Sequence, residues 1–397
     1  MSNIAVHVPT DSKPPRKQSA GTSSLAELAL LFLRLGATAF GGPAAHIAMM
    51  RDEVVNRRKW LTEEHFLDLL GATNLIPGPN STEMAIHLGW GRRRWSGLIV
   101  AGVCFILPAM VITCVLAWAY VRFGKLPEAL WLLWGIKPVV LAVVVQALWA
   151  LAPTAVRTWP LRILGVGAIA ASVLGVHELL ILFGSGTLVA LLQVGQRRAG
   201  SLRQILPIVP AAAGASVMSA VTLPGLFWVF FKIGSVLFGS GYVLLAFLRA
   251  DLVQRLHWLT EAQLIDAITA GQVTPGPVFT TATFIGYLLS GPWGAVVATV
   301  GIFLPAFIFV AISGPLVPRL RASPTAGAFL DGVNVASLAL IAVVTAQLGR
   351  AAVVDLTTAL LGLISAVALL RFRLNSIWLI LGGATVGVGV HLVGFAR

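Results

Sequence analysis

The chain repeats itself. Shifted by 198 positions, "LRLGATAFGGP" (33–43) lies over "FKIGSVLFGSG" (231–241), "RRKWLTEEHFLDLL" (57–70) over "RLHWLTEAQLIDAI" (255–268), and "NLIPGP" (74–79) over "QVTPGP" (272–277), without a gap. Between Arg34/Lys232 and Pro79/Pro277, 16 of 46 positions are identical, too many in one register for coincidence. After one deletion the shift becomes 197, and "ILPA" (106–109) meets "FLPA" (303–306). The chain must therefore build one unit twice. The expected division is a polar tail over 1–22, a first repeat over 23–195, a basic linker over 196–222 and a second repeat over 223–397. Within the linker, 205–222 also reads as an extra apolar span.

The unit is apolar. Of 397 residues 57% are hydrophobic and only 11% charged, where soluble domains carry about a quarter charged. With runs such as "LIVAGVCFILPAMVITCVLAWAY", this implies an all-α polytopic membrane protein. The two cysteines, Cys104 and Cys114, both fall in that run, which argues against a disulfide scaffold or a thiolate metal site. A net charge of +13 would suggest nucleic acid for a soluble protein. Here the basic residues lie in short connections, so topology and lipid headgroups account for them and no nucleic-acid partner is expected. No short apolar core with a small-residue cleavage site follows residues 1–22, so no removable signal peptide is expected.

Each half reads as about five transmembrane helices and a re-entrant hairpin broken at Pro-Gly-Pro, its two arms only about 14 residues long. An odd number of spans per half would invert one repeat against the other. Arg51, Arg57, Arg58, Lys59, Arg92, Arg93 and Arg94 surround the first hairpin, and only Arg249 and Arg255 the second. That asymmetry fits opposite orientations, with the first hairpin opening to the cytoplasm. The basic N-terminal tail, which would then lie outside, counts against the scheme.

Inverted repeats with broken helices hold solutes where half-helix ends meet, and irregular backbone at that depth must be buried or line a cavity. Pro77 pushes the residue before it off helical geometry, Gly78 relaxes steric limits, and Pro79 suits a new helix start. The matching break is Pro275, Gly276 and Pro277. A helix beginning after each break offers free N–H groups and partial positive charge, which favour an anion. Asn74 and its counterpart Gln272, with Asn80, Ser81, Thr82 and Thr280, are candidate contacts. Gly41, Gly42 and Gly239, where the first helices end, are candidates for the site wall. The competing reading is a pair of surface turns between short helices.

Arg34 and Lys232 occupy matching places inside the first helix of each repeat. A basic side chain at mid-helix costs roughly 2.5–3.5 kcal/mol on insertion, which an anion would offset; the alternative is snorkelling to the headgroups. Lys137, matched by Asn334, is a third candidate cation, and two or three cations around a cavity suit a divalent oxyanion. Asp68 and Asp266 match each other, and Glu83 and His87 lie one turn apart in the first repeat alone. All four are candidate proton carriers, with interfacial or structural pairing as the alternative.

"FLRLGATAFGGPAAHI", "RRKWLTEEHFLDLLGATNLIPGPNSTEMAIHLG" and "FGSGYVLLAFLRADLV" with "WLTEAQLIDAITAGQVTPGP" resemble the chromate ion transporter family in its long, two-domain form. The likeness is sharpest over 30–110 and 228–312. It implies a multi-pass carrier of the bacterial inner membrane that exports chromate, confers resistance, draws on the proton gradient and meets sulfate as a competitor. No cofactor, metal or catalytic residue is implied; membrane lipid and a second copy of the chain are the other expected partners. The sequence departs from the pattern in "FGSG" for "FGGP" in the second half and in the strongly basic "GRRRW". The alternatives are a sulfate or other oxyanion carrier on the same frame, and an intramembrane lipid-phosphate phosphatase using Ser81, Glu83 and His87.

Overall fold

In a computed structural model, residues 24–39, 42–124, 126–197, 220–238, 241–313, 324–372, 374 and 376–395 are described. The N-terminal tail and nearly all of the linker, including most of the ambiguous 205–222 stretch, lie outside them. The first repeat comprises α1 (Leu25–Thr38), α2 (Gly42–Arg51), α3 (Glu63–Thr73), α4 (Asn80–Phe123), α5 (Pro127–Ala155), α6 (Trp159–Val173) and α7 (Glu178–Arg197). The second comprises α8 (Leu223–Val236), α9 (Leu244–Leu248), α10 (Glu261–Val273), α11 (Thr281–Ser313), α12 (Pro324–Ala352), α13 (Leu356–Phe372) and α14 (Ser376–Phe395). The protein is an all-α, polytopic membrane protein of two homologous halves. Among the described residues, helices over Asn80–Phe123, Pro127–Ala155, Val278–Ser313, Pro324–Ala352 and Ser376–Val393 are long and apolar enough to cross a membrane. Trp159–Val173, Glu178–Val194, Leu223–Val236 and Leu356–Phe372 are shorter apolar helices.

The duplication extends to local backbone. In each repeat a π-helical turn, Asp52–Arg57 or Arg249–Arg255, leads to a residue with positive φ, Lys59 at 51° and His257 at 53°. A threonine then caps the next helix: Thr62 accepts from the His65 N–H at 3.2 Å, and Thr260 from that of Gln263 at 3.2 Å. A side-chain cap of this kind contributes about 1 kcal/mol.

α4 and α11 each fold back on themselves. Helical geometry fails at Arg93 and Arg94, with φ/ψ of −141/22 and 51/−130, and at their counterparts Ser290 and Gly291, with −147/25 and 63/−155. Each helix is thus a short inner arm after the Pro-Gly-Pro and a long outer arm. The arms touch at once, because a Cβ on Gly89 would strike the Gly97 carbonyl, and one on Gly286 that of Gly294. The breaks themselves are enclosed by the protein in both repeats, as a re-entrant hairpin requires, with Gly78, Pro79, Gly276 and Pro277 all buried.

The halves interlock. α1 packs on α4 as α8 packs on α11, and α4 and α11 face each other. Beyond that core the long helices change partners: α5 packs against α13 and α14 of the second half, and α12 against α6 and α7 of the first. Small residues permit the closest approaches, as expected for helices in lipid. Gly135 meets the Gly383 backbone, and their counterparts Gly332 and Gly186 meet in the same way. Neither repeat buries its own long helix alone.

Candidate functional site

The two breaks are joined across the repeat boundary. The Gly78 N–H donates to the Leu237 carbonyl at 2.6 Å, and the Gly276 N–H to the Ala39 carbonyl at 2.9 Å. Each acceptor is the residue that caps the first helix of the opposite half. Under the 198 shift these are the same bond made twice, so a two-fold relation passes between the breaks. Proline supplies no N–H of its own, and the glycine alone makes this backbone link. Gly78 and Gly276 both have positive φ, 144° and 86°, which glycine adopts without steric cost.

Both inner arms start at one cavity of about 740 Å³, lined among others by Asn74, Pro79, Asn80, Ser81, Pro277 and Val278. The first N–H groups of a helix have no intrahelical acceptor, so the α4 inner arm and the short 3₁₀ turn Val278–Thr280 bring donors to its wall. Asn80 Nδ2 donates to Asn74 Oδ1 at 2.7 Å. Gln146, Tyr242, Asn334 and Ser337 add polar groups, and Arg157 and Asp331, both on the wall, are paired at 2.7 Å.

The expected cations lie elsewhere. Arg34 pairs with Glu53, and Lys232 with Asp251 at 2.7 Å, again one contact made twice, and neither lines the cavity. Glu53 also binds Arg57 at 3.0 Å and Arg58 at 3.3 Å, and Asp251 binds Arg255 at 2.6 Å. The counter-charge that sequence reasoning assigns to a solute is supplied here by a carboxylate of the connector. That partner was legible, since a base and an acid recur 19 residues apart in both halves. Lys137 pairs with Asp266 at 3.0 Å, and the Tyr120 hydroxyl donates to the same carboxylate at 2.9 Å. Asp68, on α3, lies outside the cavity lining.

Glu83 and His87 occupy the inner arm of α4, fully enclosed, yet they do not hydrogen-bond each other. Both Glu83 carboxylate oxygens and the His87 Nε2 are buried without a partner, and the carboxylate lies against Gly78. Thr82 Oγ1 and Gln272 Nε2 are likewise unpartnered. Thr280 Oγ1 bonds the Pro277 carbonyl at 2.8 Å and accepts from Thr113, of the first repeat, at 3.3 Å. Gly42 has a φ of 78°, whereas Gly41 and Gly239 lie outside the described residues.

Sequence reasoning missed His46. Its Nε2 lies 3.0 Å from the Ala39 carbonyl, the acceptor of the Gly276 bond, and its Nδ1 lies 3.2 Å from Ser81 Oγ. This buried histidine ties the end of α1 to the start of the α4 inner arm. The three groups named for a phosphatase share this arm, but Ser81 lies on His46 and neither Glu83 oxygen bonds His87.

The chromate transporter family model matches residues 26–190 and 225–388, once over each repeat. A chromate transport protein of Cupriavidus metallidurans is 33% identical over 390 residues, 95% of this chain and 97% of that one. A chromate transport protein of Pseudomonas aeruginosa is 32% identical over 361 residues, 87% of this chain and 85% of its own length. An uncharacterized transporter of Methanocaldococcus jannaschii is 25% identical over 349 residues, 84% of this chain and 87% of the relative. No solved structure matches the chain. With one copy of the family's unit on either side of the linker, and each copy bonded through its break to the other, the chain belongs to the chromate transporter family.

Proposed function

We propose that the protein is a secondary active transporter that exports chromate from the cytoplasm across the bacterial inner membrane, driven by the proton gradient, and that it thereby confers resistance. The observation that supports this best is the meeting of two helix starts at one cavity between repeats, whose wall mixes polar and apolar groups. Each start carries up to about half a positive charge, so the pair, with the backbone donors at Asn80, Ser81, Val278 and Phe279, is suited to a doubly charged tetrahedral oxyanion. The charges of Arg157 and Asp331 cancel, which leaves the helix ends to set the sign of the wall. The cavity exceeds a bare oxyanion in size and accommodates one with part of its water.

Glu83 is the proposed proton carrier. An ionised carboxylate without a partner costs several kcal/mol in such surroundings, a cost that a bound proton removes. Its contact with Gly78 sets it one residue from the cavity wall, so occupancy of the break and of the carboxyl are coupled through shared space. Arg34 and Lys232 serve in this reading as anchors that fix the first helix of each repeat to its connector, from outside the cavity.

The test is chromate uptake into inside-out vesicles under an imposed proton gradient. Uptake is expected to collapse with a protonophore and to fall when sulfate is added in excess. Uptake that persists at full rate without the gradient would remove the proton coupling, and no uptake at all would remove the transport reading.

A further inference from the structure

A second, much smaller cavity, of about 20 Å³, lies beside α5 and is lined by Lys137, Leu141, Val144 and Leu245 with others. The repeat shift carries Lys137 onto Asn334, Leu141 onto Leu338, Val144 onto Ile341 and Leu245 onto Ile47. All four counterparts line the 740 Å³ cavity. Leu348 and Ala352 of the small space map in the same way onto Leu151 and Ala155 of the large one. The two cavities are therefore one feature built twice, related by the two-fold that exchanges the breaks, and found open in one copy and shut in the other.

A specific contact accompanies the closure. Lys137 on α5 and Tyr120 on the outer arm of α4 both belong to the first repeat, and both grip Asp266 on α10 of the second, at 3.0 Å and 2.9 Å. This triad crosses the repeat boundary at the small cavity, whose wall includes Lys137. On the open side the place of Lys137 is taken by Asn334, which carries no charge to pair.

We propose that the small cavity is a second vestibule for the divalent oxyanion, facing the opposite side of the membrane, and that the Lys137–Asp266–Tyr120 triad is the latch that holds it shut. The proposal rests on the transport reading, because a carrier must present its solute site to each side in turn, and a duplicated frame allows the two copies to exchange conformations. Opening frees the Lys137 ammonium at a position where the twin cavity carries the Asn334 amide. The second vestibule thus meets the anion with a cation at the position where the first has an amide, and the two sides differ in affinity by construction.

The test uses the full chain with Cys104 and Cys114 replaced by alanine. Into it goes one cysteine at a time, Leu338→Cys in the open cavity or Leu141→Cys at the matching place in the shut one. A membrane-impermeant maleimide is applied to right-side-out and to inside-out vesicles. Leu338→Cys is expected to react from one face, and Leu141→Cys from neither. Adding Tyr120→Phe or Asp266→Asn should raise labelling of Leu141→Cys at least tenfold, from the opposite face, and lower that of Leu338→Cys. Should Asp266→Asn fail to insert, Tyr120→Phe removes a single hydroxyl and carries the test alone. Leu141→Cys labelled from the same face as Leu338→Cys, or left inert when the latch is weakened in normally inserted protein, would overturn the proposal. Labelling needs no chromate, so the expected pattern in a protein with no chromate flux would sink the transport reading while the paired vestibules stand.

Discussion

The first and second breaks share a backbone and differ in their polar side chains. Both donate a glycine N–H to the other half's first helix, and both start a buried inner arm. Yet His46, Ser81, Glu83 and His87 around the first break correspond to Leu244, Phe279, Thr281 and Phe284 around the second, and all eight are buried. Duplication supplied the scaffold twice, and beside the breaks the described carboxyl and imidazole groups lie in one copy. A symmetric frame thereby holds an asymmetric site, with backbone donors from both repeats and, among the described residues beside the breaks, buried carboxyl and imidazole groups from the first alone.

The sharpest way to break this comparison is to remove the unpartnered acid. Glu83→Gln keeps the volume and deletes the ionisable group, and is expected to lower gradient-driven chromate uptake by more than tenfold. Its counterpart change, Thr281→Val, should leave uptake within about twofold, because the Thr281 hydroxyl only returns to the Val278 carbonyl at 2.8 Å and such a local bond is worth about 1 kcal/mol. Equal losses in the two variants, measured in the same vesicles, would mean that the second arm carries chemistry too.

The glycines of the breaks should separate in another way. A Cβ on Gly276 would lie 2.8 Å from the Ala109 Cβ and 2.9 Å from the Gly36 carbonyl, both held by packed helices. On Gly78 the obstacle is the Glu83 carboxylate, the movable end of a side chain. Gly276→Ala is therefore expected to destabilise by about 1–3 kcal/mol, as overpacking does, and to show a lower detergent melting temperature than Gly78→Ala. Gly78→Ala should instead disturb uptake, by displacing Glu83. A reversed order of melting temperatures would refute this division.

Much of this frame was legible in the residues. The 198 shift, the Pro-Gly-Pro and the two short arms follow from the sequence because proline and glycine act on their own backbone. The links across the halves did not follow, since nothing local in "NLIPGP" names the Leu237 carbonyl as its partner. His46 escaped for a related reason. Searching for groups retained in both repeats hides a residue whose counterpart is Leu244, and the polar-for-apolar mismatch in the alignment was the signal that could have found it. The same mismatch flags Ser81 against Phe279. Arg34 and Lys232 stand in the sequence as a matched pair of bases, each with an acid 19 residues on, but spacing alone does not tell whether that acid or a solute supplies the counter-charge.

That last pair yields the smallest expected difference and tests whether the scaffold's symmetry is also energetic. Arg34 is 52% exposed and Lys232 is 41% exposed, while their acids, Glu53 and Asp251, are only 7% and 3% exposed. Exposure of the bases keeps each pair weak, at about 0–1 kcal/mol. Removing a base leaves the buried acid to its remaining partners, however, and these differ. Glu53 keeps both Arg57 and Arg58 after Arg34→Ala; Asp251 keeps only Arg255 after Lys232→Ala, and Arg255 is shared with Glu178. Lys232→Ala should therefore lower the melting temperature more than Arg34→Ala, with uptake per inserted molecule retained in both. Uptake abolished in either variant at unchanged stability would move that side chain from the anchor to the solute path.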